Sequence, residues 1–113
     1  MKIIDKIISI SELKEMSQKM FDDMVKAVVD VEKQIMAVDG DLHSDEESLL
    51  IENGSKQQDL WGINIYPDKM DEDWIEFNSM INIKPLQNNR SSEVISPKTR
   101  KRIIDIVYNL VEK

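Results

Sequence analysis

The sequence predicts one α+β domain over residues 1–113, with an antiparallel sheet of about four strands and helices packed mainly on one face. Two periodicities predict this class. Apolar side chains recur at three- and four-residue spacing near both ends of the chain, as they do in amphipathic helices. Between those ends, apolar and polar residues alternate over several short segments, as they do in half-buried strands. The signals follow the order α-β-β-α-β-β-α, and 113 residues are the length of one ordinary domain.

The first third of the chain predicts a helix followed by a β-hairpin. Ser9 and Glu12 form a capping box, which marks the start of the helix. An apolar stripe then continues to about residue 24. From there the period changes to two, so residues 25–31 and 34–38 are predicted to form the two strands of the hairpin.

The middle of the chain predicts a short helix and a third strand. Ser44 and Glu47 form a second capping box, and Gly54 stands just past the predicted end of that helix. Residues 60–66 follow the strand pattern. Gly62 inside this strand indicates a bulge or the close approach of another group.

The last third predicts a fourth strand and a final helix. Residues 74–84 show the clearest alternation in the chain, which predicts one strand face in the core and one polar face. Ser96 and Pro97 open the final helix as its N-cap and first residue. Asparagine is depleted in strands, so either solvation or a binding role is open for the polar strand face. That face comprises Asn64 of the third strand with Glu76, Asn78, Asn82 and Lys84 of the fourth.

Charge is unevenly distributed, with a formal net charge of −7. Residues 1–83 hold 19 of the 22 acidic residues, whereas residues 84–113 hold 7 of the 15 basic ones. The acidic body argues against duplex DNA and against an anionic membrane as partners, because both require an extended basic surface. The first residues are too few and too charged for a secretory signal, and cysteine is absent, so we expect a cytoplasmic protein.

Composition also excludes most cofactor and metal chemistry. Without cysteine and with one histidine, the common zinc and iron–sulfur sites are excluded, and no phosphate-binding glycine motif occurs. We therefore predict no cofactor. One segment places possible metal ligands at every second position, although its spacing fails the EF-hand pattern and a turn rich in capping residues explains it equally well. Those residues are Asp39, Asp41, His43 and Asp45.

Two classes of function stay open. The favoured one is a non-catalytic binding or interaction module that self-associates as a homodimer, because one face and two edges of the predicted sheet need covering. The alternative is a small hydrolase or phosphate-handling enzyme, in which His43 and Glu76 would act with Asn82 and Arg90. That alternative requires all four side chains to converge in one pocket.

A basic segment near the end of the chain predicts an anion site. Cations in the first turn of a helix oppose its dipole, so a carboxylate of the body, a protein partner or a small anion is expected beside them. The site would include the loop 84–92 and the start of the last helix. Its candidate residues are Lys84, Arg90, Ser91, Lys98, Arg100 and Lys101, with Arg102 next to them.

Three blocks of sequence resemble a known family. They are residues 35–51, residues 60–67, and residues 75–85 followed by Asn89-Arg90-Ser91. Together they resemble a family of small bacterial and archaeal proteins known only as a domain of unknown function. The resemblance covers nearly the whole chain and implies a stand-alone prokaryotic protein, but it implies no activity, ligand or catalytic residue.

Overall fold

The computed structural model describes residues 1–21, 23–69 and 73–113. Helices and strands alternate along the chain, and short 3-10 turns connect several of them. The elements are β1 (Lys2–Ile4), β2 (Ile8–Ser9), α1 (Ile10–Met20), β3 (Val25–Asp30), β4 (Ile35–Val38), α2 (His43–Glu52), β5 (Leu60–Ile65), β6 (Ile75–Glu76), α3 (Pro97–Leu110) and β7 (Val111–Glu112).

The sheet has five strands in the order β1-β4-β3-β5-β6, and every neighbouring pair is antiparallel. A separate parallel pair joins β2 to β7. The predicted α+β class and the order of its helices and strands are confirmed. The extra strand is β1, which pairs with β4 at one edge of the sheet.

Alternation along the strands produces two apolar faces. The larger core contains Ala27, Val29 and Ile63 from the sheet, packed with residues of α1 and α3 such as Leu13 and Val107. We call the opposite surface the α2 face. It is smaller, and its buried members are Val28, Ala37, Leu50 and Leu60. Two helices thus cover one face and the third covers the other, so both faces of the sheet are packed.

Side-chain caps begin two of the three helices as predicted. The Ser9 Oγ accepts a hydrogen bond from the Glu12 N–H at 3.2 Å, and the Ser96 Oγ accepts one from the Thr99 N–H at 3.3 Å. At the far end of α2, Gly54 has a positive φ of 100°, as expected for a residue just past a helix.

The start of α2 differs from the prediction. The helix begins at His43, its N-cap is Leu42, and no side chain caps it, so the predicted capping box of Ser44 and Glu47 is wrong. The His43 ring instead links this end of the helix to the sheet, since its Nε2 lies 2.8 Å from the carbonyl oxygen of Ile63. Helix α1 also ends at Met20, earlier than the apolar stripe indicated.

The predicted strand over residues 74–84 is wrong beyond its first part. Strand β6 ends at Glu76, and after one isolated bridge at Asn78 the chain turns onto the α2 face in a 3-10 turn at Met80–Asn82. The turn fits there because Gly62 has no side chain. A Cβ at Gly62 would lie 2.5 Å from the Cβ of Ser79, so the close approach predicted at this glycine is confirmed.

Trp74 illustrates the same difference. By the alternation of residues 74–84, Trp74 falls on the same side of the predicted strand as Glu76, which is the polar side, but its side chain is 1 % exposed. Its Nε1 donates a hydrogen bond to the Tyr108 hydroxyl at 3.1 Å, and the two rings pack edge to face.

Within the described ranges, no helix has the length and hydropathy needed to cross a lipid bilayer.

Candidate functional site

The loop from Lys84 to Asn89 forms a small closed hairpin. The two end residues exchange both backbone hydrogen bonds, at 2.7 and 3.1 Å. Between them lie a 3-10 turn at Pro85–Gln87 and Asn88, which adopts the left-handed conformation with a φ of 58°. Leu86 stands at the tip and is fully exposed, with a relative accessibility of 102 %. We call residues 84–89 the hairpin loop.

Asn82 fixes the base of the hairpin loop to the edge of the sheet. Its side chain is completely buried. The Oδ1 accepts a hydrogen bond from the N–H of Gly62 at 2.7 Å, and the Nδ2 donates to the Gly62 carbonyl at 3.0 Å and to the Ser92 carbonyl at 3.1 Å. The amide therefore bonds β5 as a neighbouring strand would, at a position that β6 does not reach.

Asn89 fixes the other end of the hairpin loop. Its buried Nδ2 donates to the carbonyls of Asn82, Ser91 and Glu93 at 2.8, 3.0 and 2.8 Å. Its Oδ1 accepts a hydrogen bond from the N–H of Ile95 at 2.9 Å. The two asparagines are thus linked, and together they hold the segment from residue 82 to residue 95 in one conformation.

A groove of about 840 Å³ lies between the hairpin loop and the 3-10 turn at Gln57–Asp59. Its apolar side is formed by Ile81, Ile83, Pro85 and Leu86. Its polar side is formed by Lys56, Gln57, Gln58, Asp59, Lys84 and Gln87. The Gln87 Nε2 donates to the Gln58 carbonyl at 2.9 Å, so the loop and the opposite wall are joined. We call this feature the loop groove.

Lys84 is the half-buried cation of the loop groove. Its Nζ donates a hydrogen bond to the Gln57 carbonyl at 2.9 Å and lies 5.3 Å from the centre of the Trp61 ring. Burial lowers its pKa, although the negative charges of Glu47 and Asp59 act in the opposite direction. Among the described residues, no carboxylate oxygen lies within 4.0 Å of this ammonium group.

The other residues of the predicted anion site have separate surroundings. Arg100 donates to the Val94 carbonyl and to Glu93 at 3.2 Å, with its guanidinium 4.8 Å from the centre of the Phe77 ring. A carboxylate therefore does lie beside the start of α3, but it comes from the loop before the helix and not from the acidic body over residues 1–83. The Ser91 Oγ accepts a hydrogen bond from the Glu93 N–H at 3.0 Å, which closes a turn.

The basic residues around the start of α3 do not share one partner. Lys101 pairs with Asp105 at 3.0 Å along the helix, whereas Arg102 pairs with Glu32 at 3.6 Å and donates to the Val31 carbonyl at 2.9 Å. Two further cations of the predicted site have exposed side chains: Arg90 and Lys98. Several basic residues of the predicted anion site are therefore paired with separate acidic groups, and an anion site there stays a prediction.

The predicted polar strand face exists only in part. Asn64 and Glu76 are register partners, and the Asn64 Nδ2 donates to the Glu76 Oε1 at 2.7 Å. Asn78 is exposed past the end of β6. Asn82 and Lys84 have left the strand, so the prediction that these five residues share one face is wrong. The alternation continued in the sequence after the chain had turned away from the sheet.

The four residues of the enzyme alternative have different surroundings. His43 is held by a backbone carbonyl, and burial lowers its pKa, which favours the neutral ring. Glu76 accepts a hydrogen bond from the Asn64 side chain. The oxygen and the nitrogen of the Asn82 side chain are both hydrogen-bonded to backbone groups, and the Arg90 side chain is exposed. Nothing in this arrangement provides a nucleophile beside a base.

The candidate metal ligands are also dispersed. Asp39 pairs with Lys19 at 3.5 Å, and the side chains of Asp41 and Asp45 are exposed. In the part of the chain that the structure describes, no three histidine, aspartate or glutamate side chains lie close enough to hold a metal ion.

Glu46 is a buried acid that the sequence analysis missed. Its side chain is 0 % exposed, and its Oε2 accepts a hydrogen bond from the Gly40 N–H at 2.9 Å. Burial raises the pKa of Glu46 to about 9, so the carboxyl is protonated at neutral pH. One signal was available, since Glu46 lies four residues before Leu50 and therefore on the buried side of α2.

A family model described as a protein of unknown function, DUF5674, matches residues 2–110. The chain belongs to the DUF5674 family. This result confirms the resemblance inferred from the three sequence blocks. No curated protein matches the chain. No solved structure matches it either. The DUF5674 match includes the two buried asparagines, the hairpin loop and the loop groove, while the family description gives no activity.

Proposed function

We propose that the protein is a non-catalytic binding module and that a protein partner docks in the loop groove. The observation that carries this proposal is the position of Leu86. This side chain is fully exposed at the tip of a loop that two buried asparagines hold in place. An ordered loop that presents a contiguous apolar surface to solvent, here Ile83, Pro85 and Leu86, is typical of a binding surface.

The energetics favour binding over a purely structural role. A fully exposed leucine contributes almost nothing to folding through burial, whereas covering it in a complex contributes roughly 1.5–3 kcal/mol. The hydrogen bonds of Asn82 and Asn89 order the loop in the free protein. A partner therefore does not have to supply the conformational entropy of ordering it.

Exchanging Leu86 for serine tests this function. We expect the Leu86→Ser variant to keep its unfolding free energy within about 0.5 kcal/mol, because the side chain makes no buried contact. Peptides selected on the wild-type protein from a random phage-displayed library should bind the variant at least about tenfold more weakly. Affinities are measured by calorimetry on purified protein.

Ile7→Ser is the matched control, because Ile7 is 64 % exposed and lies in the connection between β1 and β2. The control should bind the selected peptides as the wild type does. Peptides that bind Leu86→Ser and the wild type equally well, or a selection that yields no peptide dependent on Leu86, would contradict the proposed function.

Two narrower predictions belong to the same binding role. An open sheet face no longer supports self-association, because α2 packs on that face. Strand β1 is nevertheless an edge strand, and a second copy of the chain can pair with the side of β1 that faces away from β4. Light scattering that gives a monomer mass at all concentrations would exclude self-association.

For an anion at the start of α3, phosphate should raise the melting temperature of the wild type but not of an Arg90→Ala, Lys98→Ala double variant.

A further inference from the structure

The electrostatics of the loop groove indicate the chemistry of its partner. Lys84 carries three N–H donors on its ammonium group, and the described contacts use one of them, to the Gln57 carbonyl. The other stabilising neighbour is the face of the Trp61 ring. The cation is half-buried and neither contact supplies a negative charge. Glu47 and Asp59 act on it from beyond 4.0 Å, so its lost hydration is compensated only in part.

The residues that line the groove also favour a partner that carries a negative charge beside an apolar side chain. Lys56 lies on the same polar side as Lys84. Among the described residues, the acid that lines the groove with them is Asp59, and Glu47 acts on Lys84 from outside the lining. The remaining polar lining consists of three glutamines, which donate and accept without charge. Beside these groups lies the apolar side of Ile83, Pro85 and Leu86. The described groove lining thus carries two lysines against one acid, next to an apolar surface.

We infer that the loop groove binds a segment of a partner protein that carries an aspartate or glutamate next to an aliphatic or aromatic residue. The carboxylate pairs with Lys84, and the apolar residue packs on Leu86 and Ile83. This inference rests on the proposed function, since it names the chemistry of the partner for the same groove. A hydrogen-bonded ion pair in such a half-buried position provides specificity in addition to the apolar contact.

The experiment compares charge changes on both sides of the contact. Random peptides are selected on the wild-type protein, and each selected peptide is also synthesised with its Asp and Glu replaced by Asn and Gln. We expect acidic residues next to apolar ones to be enriched, and the amide versions to bind about tenfold more weakly. This arm leaves the protein unchanged, so it does not depend on the folding of any variant.

Lys84→Met provides the second arm, because methionine keeps an apolar stem against Trp61 and removes the charge. Selected peptides should bind this variant about tenfold more weakly, and their affinity for the wild type should fall as salt is raised. Lys6→Met, which removes an exposed lysine outside the groove, is the charge-matched control and should change neither result.

The outcomes separate the two proposals. Peptides that require Leu86 but show no acidic enrichment, and that bind equally well as amides, overturn the inference about Lys84 and leave the proposed function standing. Selection of no peptide that requires Leu86 overturns both. Acidic peptides that lose affinity equally for Lys84→Met and Lys6→Met indicate general charge attraction and overturn the specific pairing with Lys84.

Discussion

The unfolding free energy of the protein should fall as pH rises from about 5 to about 9, and Glu46→Gln should remove much of that fall. The pKa of Glu46 is about 9 in the folded state, whereas an unfolded glutamate has its ordinary pKa near 4.5. Between those values the folded chain holds a proton that the unfolded chain has released. Stability therefore decreases by roughly 1 kcal/mol per pH unit across this window, from this group alone.

The glutamine of the Glu46→Gln variant reproduces the protonated carboxyl in shape, and its carbonyl can accept the Gly40 N–H. We expect the variant to match the wild type near pH 5 and to exceed it by several kcal/mol near pH 9. Urea denaturation at both pH values measures the difference. Other titrating groups are common to both proteins, so they cancel in the comparison.

Glu52→Gln is the control for this experiment, because Glu52 ends the same helix with an exposed side chain. Its pH dependence should follow that of the wild type. If Glu46→Gln and the wild type lose stability in parallel between pH 5 and pH 9, then the Glu46 carboxyl is ionised in the folded protein. The conclusion that it is buried in its protonated form would then be wrong.

Asn82→Ala should lower the unfolding free energy by about 3 kcal/mol or more. The change removes three hydrogen bonds and leaves the N–H and carbonyl of Gly62 without a partner at the sheet edge. An unsatisfied buried polar group costs about 1–3 kcal/mol, and here at least two are created. Urea denaturation measures the loss.

Asn78→Ala is the matched control, because Asn78 lies in the same segment but its side chain is exposed. We expect its effect to stay within about 0.5 kcal/mol. Equal losses for the two variants would mean that the buried amide of Asn82 does not hold the loop, and that the segment is ordered by backbone contacts alone.

The sequence predicted well at most places where local chemistry decides the structure, the start of α2 being the exception. Ser9 and Ser96 cap their helices because an N-cap hydroxyl needs only the backbone of the next turn. Gly62 was recognised as a place of close approach, and its neighbour is Ser79. The caps depend on residues close in sequence, and a glycine inside a strand is itself a signal of a bulge or a close approach.

The sequence predicted poorly where distant groups compete for the same position. Residues 77–84 keep a strand-like alternation, but the Asn82 amide bonds the backbone of Gly62 at the edge where the strand would have continued. Asn82 was considered part of a binding surface because asparagine is depleted in strands, whereas the structure shows that its side chain holds the loop. Glu46 is likewise buried on the inner side of α2, where it accepts a hydrogen bond from the Gly40 N–H, and a count of charges shows neither.

Backbone ¹⁵N relaxation of the free protein tests most directly whether the hairpin loop is ordered before a partner binds. The closed backbone pair of Lys84 and Asn89 and the buried Asn82 predict order parameters near 0.85 for residues 84 and 86–89, as in a rigid backbone. Values below about 0.6 at Leu86 and its neighbours would show a flexible tip. Leu86 would then be an exposed side chain on a mobile loop, and the preformed binding site would be contradicted.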